Sequence, residues 1–181
     1  MKSYVFLAEG FEITEALATV DVLRRGKINT LTVSISDSLQ VTASNQTTVI
    51  ADLLFDQQPL NDADLIVLPG GMPGTVNLGK YQPLLDLVLQ YHQGGKLIAA
   101  ICAAPTIFGK LGLLNGKHAV CYPGMEEGLT GAIVTNQGVV RDGNIITAKG
   151  MGVSQHFGIA LLEALTDRDT AQQVACAAII D

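Results

Sequence analysis

Cys102 stands at the end of Leu97-Ile98-Ala99-Ala100-Ile101, an apolar run with no polar residue before the thiol, and Ala103-Ala104-Pro105 follows it. A short apolar run that begins just after Gly94-Gly95 reads as a strand buried on both faces of a parallel sheet. Thr106 to Leu111 then reads as helix, which sets the cysteine on a sharp strand-to-helix turn. Nucleophiles occupy such elbows, at the carboxyl end of the sheet where open α/β folds form their ligand crevice. The N-terminus of the following helix is expected to lower the thiol pKa and favour thiolate. Cysteine is also a common small core residue, so the elbow by itself leaves a reactive and a packing role open.

Three segments leave the carboxyl ends of predicted strands and should converge on Cys102. Ala8-Glu9-Gly10-Phe11-Glu12-Ile13-Thr14-Glu15 places Glu12 and Glu15 at the start of the first helix. One of them can face the thiol, or both can serve as acids that complement the helix dipole. Leu68-Pro69-Gly70-Gly71-Met72-Pro73-Gly74 carries tandem glycines that let a backbone N–H approach a reacting oxygen. The N–H groups of Gly71 and Ala103 could form an oxyanion hole, or Gly70-Gly71 is an ordinary tight turn. Val120-Cys121-Tyr122-Pro123 brings Tyr122, which can donate a hydrogen bond or pack, and Cys121, a second thiol or a core residue. Lys149-Gly150-Met151-Gly152 lines the same mouth.

The remaining sequence narrows the chemistry. No GxGxxG follows the first strand and no GxxxxGK[ST] occurs, so a phosphate loop is not expected. His92, His118 and His156 stand far apart without ligand spacing, and no metal is expected. Three cysteines without a CxxC or a close pair suit free thiols in a reducing compartment. A net charge of −6 disfavours nucleic acid and anionic membrane surfaces as partners. Tyr4 to Ala8 is too short for the core of a signal peptide, and no apolar run reaches the length of a membrane span. The expected location is cytoplasmic.

With 181 residues, 48% hydrophobic, 15% charged and 19 glycines, the chain is expected to form one domain over 1–181. Strands are predicted at Tyr4 to Ala8, Leu31 to Ile35, Leu65 to Leu68, Leu97 to Ile101 and His118 to Cys121, and an Asp142-Gly143 hairpin between Val139 and Ile146. Val41 to Ala51 reads as a small hairpin or two short edge strands. Helices are predicted from a Thr14 cap to Arg25, closed by Gly26, and over Pro83 to Gln93, Val153 to Leu165 and Thr170 to Ile180. Met72 to Gly79 reads as a loop. The alternation implies a doubly wound, mostly parallel α/β sandwich.

Taken together, Leu7 to Glu15, Val67 to Gly71, Ala99 to Pro105 and Lys149 to Gly152 resemble the ThiJ/PfpI superfamily, and within it the Parkinson-disease-associated protein deglycase subgroup. The resemblance spans nearly the whole chain, with the motifs in order. It implies a flavodoxin-like three-layer sandwich with a nucleophile elbow, in a homodimer, without cofactor or metal. It implies Cys102 as an oxidation-prone nucleophile, Glu15 as a protonated partner that hydrogen-bonds the thiolate, and Gly71 and Ala103 as oxyanion donors. The activities implied are glyoxalase and deglycase chemistry on small 2-oxoaldehydes or glycated substrates; alternatives are a redox sensor through oxidation of Cys102, or a chaperone. Two departures stand out. Tyr122 occupies the place of a histidine usual in that subgroup, and a phenol, which ordinarily titrates near ~10, is the poorer proton shuttle. Ala103 occupies the place of the histidine that follows the nucleophile in PfpI-type peptidases, which sets the peptidase reading aside.

Overall fold

The computed structural model describes all 181 residues. In chain order its elements are β1 (Lys2–Leu7), α1 (Ile13–Arg25), β2 (Asn29–Ser34), β3 (Gln40–Thr42), β4 (Thr48–Ile50), β5 (Leu53–Leu54), β6 (Leu65–Leu68), α2 (Gly74–Leu78), α3 (Gln82–Gln93), β7 (Leu97–Ile101), α4 (Pro105–Lys110), β8 (His118–Ala119), β9 (Ile133–Val134), β10 (Val139–Asp142), β11 (Ile145–Ala148), α5 (Ser154–Leu165) and α6 (Arg168–Ala178). Short 3-10 turns at Phe55–Gln57, Glu126–Gly128 and Met151–Val153 complete the chain.

Seven strands form one sheet in the order β10-β11-β7-β6-β1-β2-β5, all parallel except the β10–β11 hairpin. Period-two alternation within each central strand supplies two cores. Tyr4, Phe6, Ile66, Leu68, Ile98 and Ala100 face a layer that includes α3 and α4. Val5, Leu7, Leu65, Val67, Ala99 and Ile101 face the opposite layer, built from α1, α5 and α6. The mixed α/β class and mostly parallel sheet expected from sequence are what the chain adopts. The chain runs outward from β1 through β2 to β5, then restarts at β6 on the other side of β1. The β1–β6 junction is therefore the switch point at which such sheets open a crevice beyond their carboxyl ends.

Several local expectations are corrected. The cap of α1 is Glu12, not Thr14: the Glu12 carboxylate accepts the Glu15 N–H at 2.6 Å. Gly26 has φ −74°, and Lys27 takes the left-handed conformation at φ 62° instead. Gly26 is demanded by packing: a Cβ there would lie 2.2 Å from Leu162 Cδ1 of α5. Within α1, Leu17 is exposed while Ala16, Val20 and Leu23 are buried. Val41 to Ala51 is a hairpin, β3–β4, separate from the main sheet. The expected 72–79 loop contains the five-residue α2, and the His118 to Cys121 strand shortens to two residues paired in parallel with β9. No helix is long and apolar enough to cross a membrane.

Candidate active site

Cys102 is the first residue after β7 and has φ 64°, a conformation disfavoured for any residue with a Cβ. Its backbone is clamped on both sides. Its N–H donates to Ala148 C=O at the end of β11 (2.9 Å), and its C=O accepts the Tyr122 N–H (2.8 Å). Such fixed pairing is what allows a strained φ to persist, at a cost on the order of 1–3 kcal/mol. The thiol is half-buried, and the backbone N–H groups of Gly71 and Ala103 both donate toward the sulfur.

Glu15 lies on the inward face of α1 and is only 1% exposed. Its Oε2 accepts the Gly70 N–H at 2.8 Å. Its Oε1 is fully buried without a hydrogen-bond partner, and the Cys102 thiol and the Met151 N–H lie beside the carboxyl. Burial pushes the Glu15 carboxyl up to about 7, against the opposing pull of the Gly70 N–H. Burial, and then the neighbouring Glu15, push the Cys102 thiol up to about 12, while the Ala103 and Gly71 N–H groups act the other way. The expected lowering by the next helix is thus overturned. α4 has six residues and begins at Pro105, which has no N–H to offer, so its dipole is weak beside the charge of a carboxylate in contact. Two acids this close share one negative charge and titrate as a pair.

Glycines make the contact possible. A Cβ on Gly70 would sit 2.6 Å from Cys102 Cβ and 2.7 Å from Glu15 Oε2. Gly71 has φ +90°, and a Cβ there would fall 2.4 Å from the Glu12 nitrogen. The Glu12 N–H in turn donates to Gly70 C=O (2.9 Å), which ties the Pro69-Gly70-Gly71 turn to the start of α1. A Cβ built on Gly150 would lie 3.8 Å from both Cys102 Sγ and Glu15 Oε1 and 3.5 Å from Tyr122 Cδ2. Tyr122, 52% exposed, therefore edges the same small space. Outside it opens a cleft of about 310 Å³ lined by Tyr122, Pro123, Lys149 and Gly150 to Val153. A larger groove of about 640 Å³ between Phe55–Leu60 and α3 contains no nucleophile.

The structure thus brings Cys102, Glu15, Gly71, Ala103 and Tyr122 to one place. Glu12 is a helix cap rather than a second acid at the sulfur. Cys121 is buried core, His118 is exposed beside Asp142 at 3.3 Å, and His156 is exposed with Nε2 at 2.6 Å from the Asp181 carbonyl. No three-residue group of His, Cys, Asp or Glu is arranged to hold a metal. Sequence reasoning passed over Gly70 as the donor to Glu15. Its signal was the tandem pair itself, since one glycine faces the acid and the other faces the sulfur.

Residues 1–164 match the DJ-1/PfpI family. Protein DJ-1 homolog B of Arabidopsis thaliana is 37% identical over 175 residues, 96% of this chain, which spans only 40% of that protein's length. Protein dj-1beta of Drosophila melanogaster is 36% identical over 94% of this chain and 92% of its own. Among solved structures, an oxidized DJ-1 of Toxoplasma gondii superposes with a TM-score of 0.94 at 31% identity, covering 98% of this chain and 97% of that one. On these likenesses and its own architecture, the chain belongs to the DJ-1/PfpI family.

Proposed function

We propose that this chain is a cofactor-free, cysteine-dependent glyoxalase/deglycase acting on methylglyoxal-type aldehydes or their adducts, as a single-domain cytoplasmic homodimer in the response to carbonyl stress. The observation that carries the reading is the buried Glu15 carboxyl beside the Cys102 thiol, with one of its oxygens left without a partner. An orphaned carboxylate oxygen is costly; one that bears the proton and donates it to sulfur is not. The acidities place the shared charge first on Glu15; as the aldehyde arrives the carboxylate takes the thiol proton, which moves the charge to sulfur, within reach of the Gly71 and Ala103 N–H groups.

The thiolate adds to the aldehyde carbon of methylglyoxal. A carbon–sulfur bond forms, the carbonyl π pair moves to oxygen, and the Gly71 and Ala103 N–H groups hold that oxyanion. Glu15 gives its proton to that oxyanion, and the carboxylate so formed carries the C1 proton to C2, which turns the hemithioacetal into a lactoyl thioester. Water cleaves the thioester, returning the thiol and releasing lactate. C1 is oxidised and C2 reduced within the one substrate, so no external oxidant is needed.

A second reading is favoured by Tyr122, which offers no imidazole to move protons, and by the oxidized state named for the Toxoplasma gondii relative. In it Cys102 is a sensor that peroxide takes to sulfinic acid, and the Glu15 proton stabilises the product. Lactate formation from methylglyoxal by the purified protein, with Cys102→Ser as control, separates them. Turnover lost in the variant supports the enzyme. Absence of turnover above the variant, with Cys102 gaining two oxygens under mild peroxide, supports the sensor.

A further inference from the structure

Three glycines surround the reactive pair, and one of them leaves room for a substrate. A Cβ on Gly70 would meet Cys102 Cβ at 2.6 Å, and one on Gly71 would meet the Glu12 nitrogen at 2.4 Å, so both of those sides are closed. At Gly150 the Cβ position is open space. Beyond the adjoining residues, its nearest atoms are Tyr122 Cδ2 at 3.5 Å and Cys102 Sγ and Glu15 Oε1 at 3.8 Å. One carbon at that point touches the nucleophile, the acid and an aromatic ring at once. A reacting carbon has to meet nucleophile and acid together, and the missing side chain of Gly150 provides the place.

Gly150 is also a wall of the 310 Å³ cleft, so whatever the reacting carbon carries extends into that cleft. Besides glycines, the cleft is lined by Tyr122, Pro123, Lys149, Met151 and Val153. Its one charge is engaged elsewhere: Lys149 Nζ donates to the Asn136 carbonyl (3.1 Å) and to Asn136 Oδ1. A charged or hydroxylated substituent would therefore give up water without gaining a partner. Tyr122 and Met151 stand 52% and 56% exposed, and covering them is favourable. A flat ring suits both, since Tyr122 offers an aromatic partner and the Met151 thioether makes favourable contacts with aromatic rings.

We infer that this cleft is the substituent subsite of the carbonyl site and selects 2-oxoaldehydes that carry an aromatic ring over methylglyoxal, with Tyr122 and Met151 as the specificity-determining side chains. The inference rests on the carbonyl chemistry proposed at Cys102 and names its substrate class. Binding is read before any turnover, as a reversible hemithioacetal. The sulfur–carbon bond forms, the carbonyl π bond opens and the thiol proton passes to oxygen, with no net oxidation.

The experiment measures, peptide by peptide, how phenylglyoxal and methylglyoxal protect Cys102 from iodoacetamide. Cys176, exposed on α6 beside Asp169, Gln172 and Gln173, reports in the same molecule how each aldehyde treats an ordinary thiol. After division by the ratio at Cys176, phenylglyoxal should protect Cys102 at about tenfold lower concentration than methylglyoxal, the scale of one aromatic contact. Tyr122→Ala and Met151→Ala, both at exposed positions that truncation leaves folded, should each cut this preference to about threefold or less. The double variant should remove it, and Tyr122→Phe should keep it. An equal preference at Cys102 and Cys176 in the wild type, or one that survives in the double variant, overturns the subsite. A preference lost in Tyr122→Phe overturns it as well, because the contact would then be the hydroxyl and not the ring. Lactate and mandelate formation are measured in parallel on the same proteins. Absence of both products with the preference intact counts against the glyoxalase reading alone, whereas lactate formation without the preference counts against the subsite alone.

Discussion

Replacing Glu15 with Gln tests the buried proton at the centre of the site. Gln is nearly isosteric with a neutral carboxylic acid. Its carbonyl can keep the Gly70 N–H (2.8 Å to Oε2 in the parent), while its amide can donate toward sulfur. Folding raises the Glu15 carboxyl from 4.5 to about 7. At about 1.4 kcal/mol per pH unit, ionising it in the folded chain costs about 3.4 kcal/mol more than in the unfolded one. The folded state thus holds a proton that the unfolded chain has released between pH 4.5 and 7. The stability due to this proton is complete below pH 4.5 and is lost as pH rises through 7. Gln has nothing to release. Urea unfolding of both proteins should give similar stabilities at pH 5 and a Glu15→Gln variant more stable by about 3 kcal/mol at pH 8. For a chain of this size that is about 6–12 °C in Tm. A Cys102→Ser background keeps oxidation out of the comparison. Lactate formation should move the other way, falling by at least about 100-fold, because an amide cannot accept the C1 proton. A difference in stability that stays flat from pH 5 to 8, or that favours the wild type at pH 8, would refute the buried-acid argument.

Three other substitutions bear on the same architecture. Gly70→Ala places a methyl 2.6 Å from Cys102 Cβ and 2.7 Å from Glu15 Oε2, so both side chains must move, and urea unfolding should show a stability loss of about 1–3 kcal/mol. Tyr122→His should raise lactate formation at pH 7 by about tenfold or more, with no gain in a Cys102→Ser background, since imidazole supplies the missing proton carrier. Tyr91→Phe should cost about 2 kcal/mol by urea melt, because the buried hydroxyl donates to Leu60 C=O (2.7 Å) and accepts the Ala63 N–H (3.1 Å), and both partners would be left unpaired.

What was legible in the sequence follows the strength of the local signals. Leu65 to Leu68 and Leu97 to Ile101 read as strands to the residue, because a strand buried on both faces has no polar position to blur its ends. The convergence on Cys102 was also legible, since parallel strands deliver their carboxyl ends to one side of the sheet. The α1 cap was misplaced because a glutamate at that position gives a weaker signal than the nearby threonine; only the 2.6 Å contact to the Glu15 N–H reveals it. Gly26 looked like a helix stop, yet the constraint on it comes from Leu162, 136 positions along the chain. β5, β8 and β9 have two residues each, too few to show a period. The thiol acidity went wrong for a related reason. A dipole argument sees the helix after Cys102 but not the carboxyl that α1 packs against it.

The reactive centre is assembled from the two ends of the chain. Glu15 comes from the first helix, Gly70 and Cys102 from the middle, and Ala148 and Gly150 from the last strand and the turn beyond it. During synthesis the cysteine is made before β11, and until that strand pairs with β7 and clamps its amide it is an ordinary solvated thiol. Its special environment is a property only of the finished topology, reached after contacts of long sequence separation have closed. Such a centre reports on the integrity of the whole molecule: a chain that has lost β11, or in which α1 has come away from the sheet, cannot retain it.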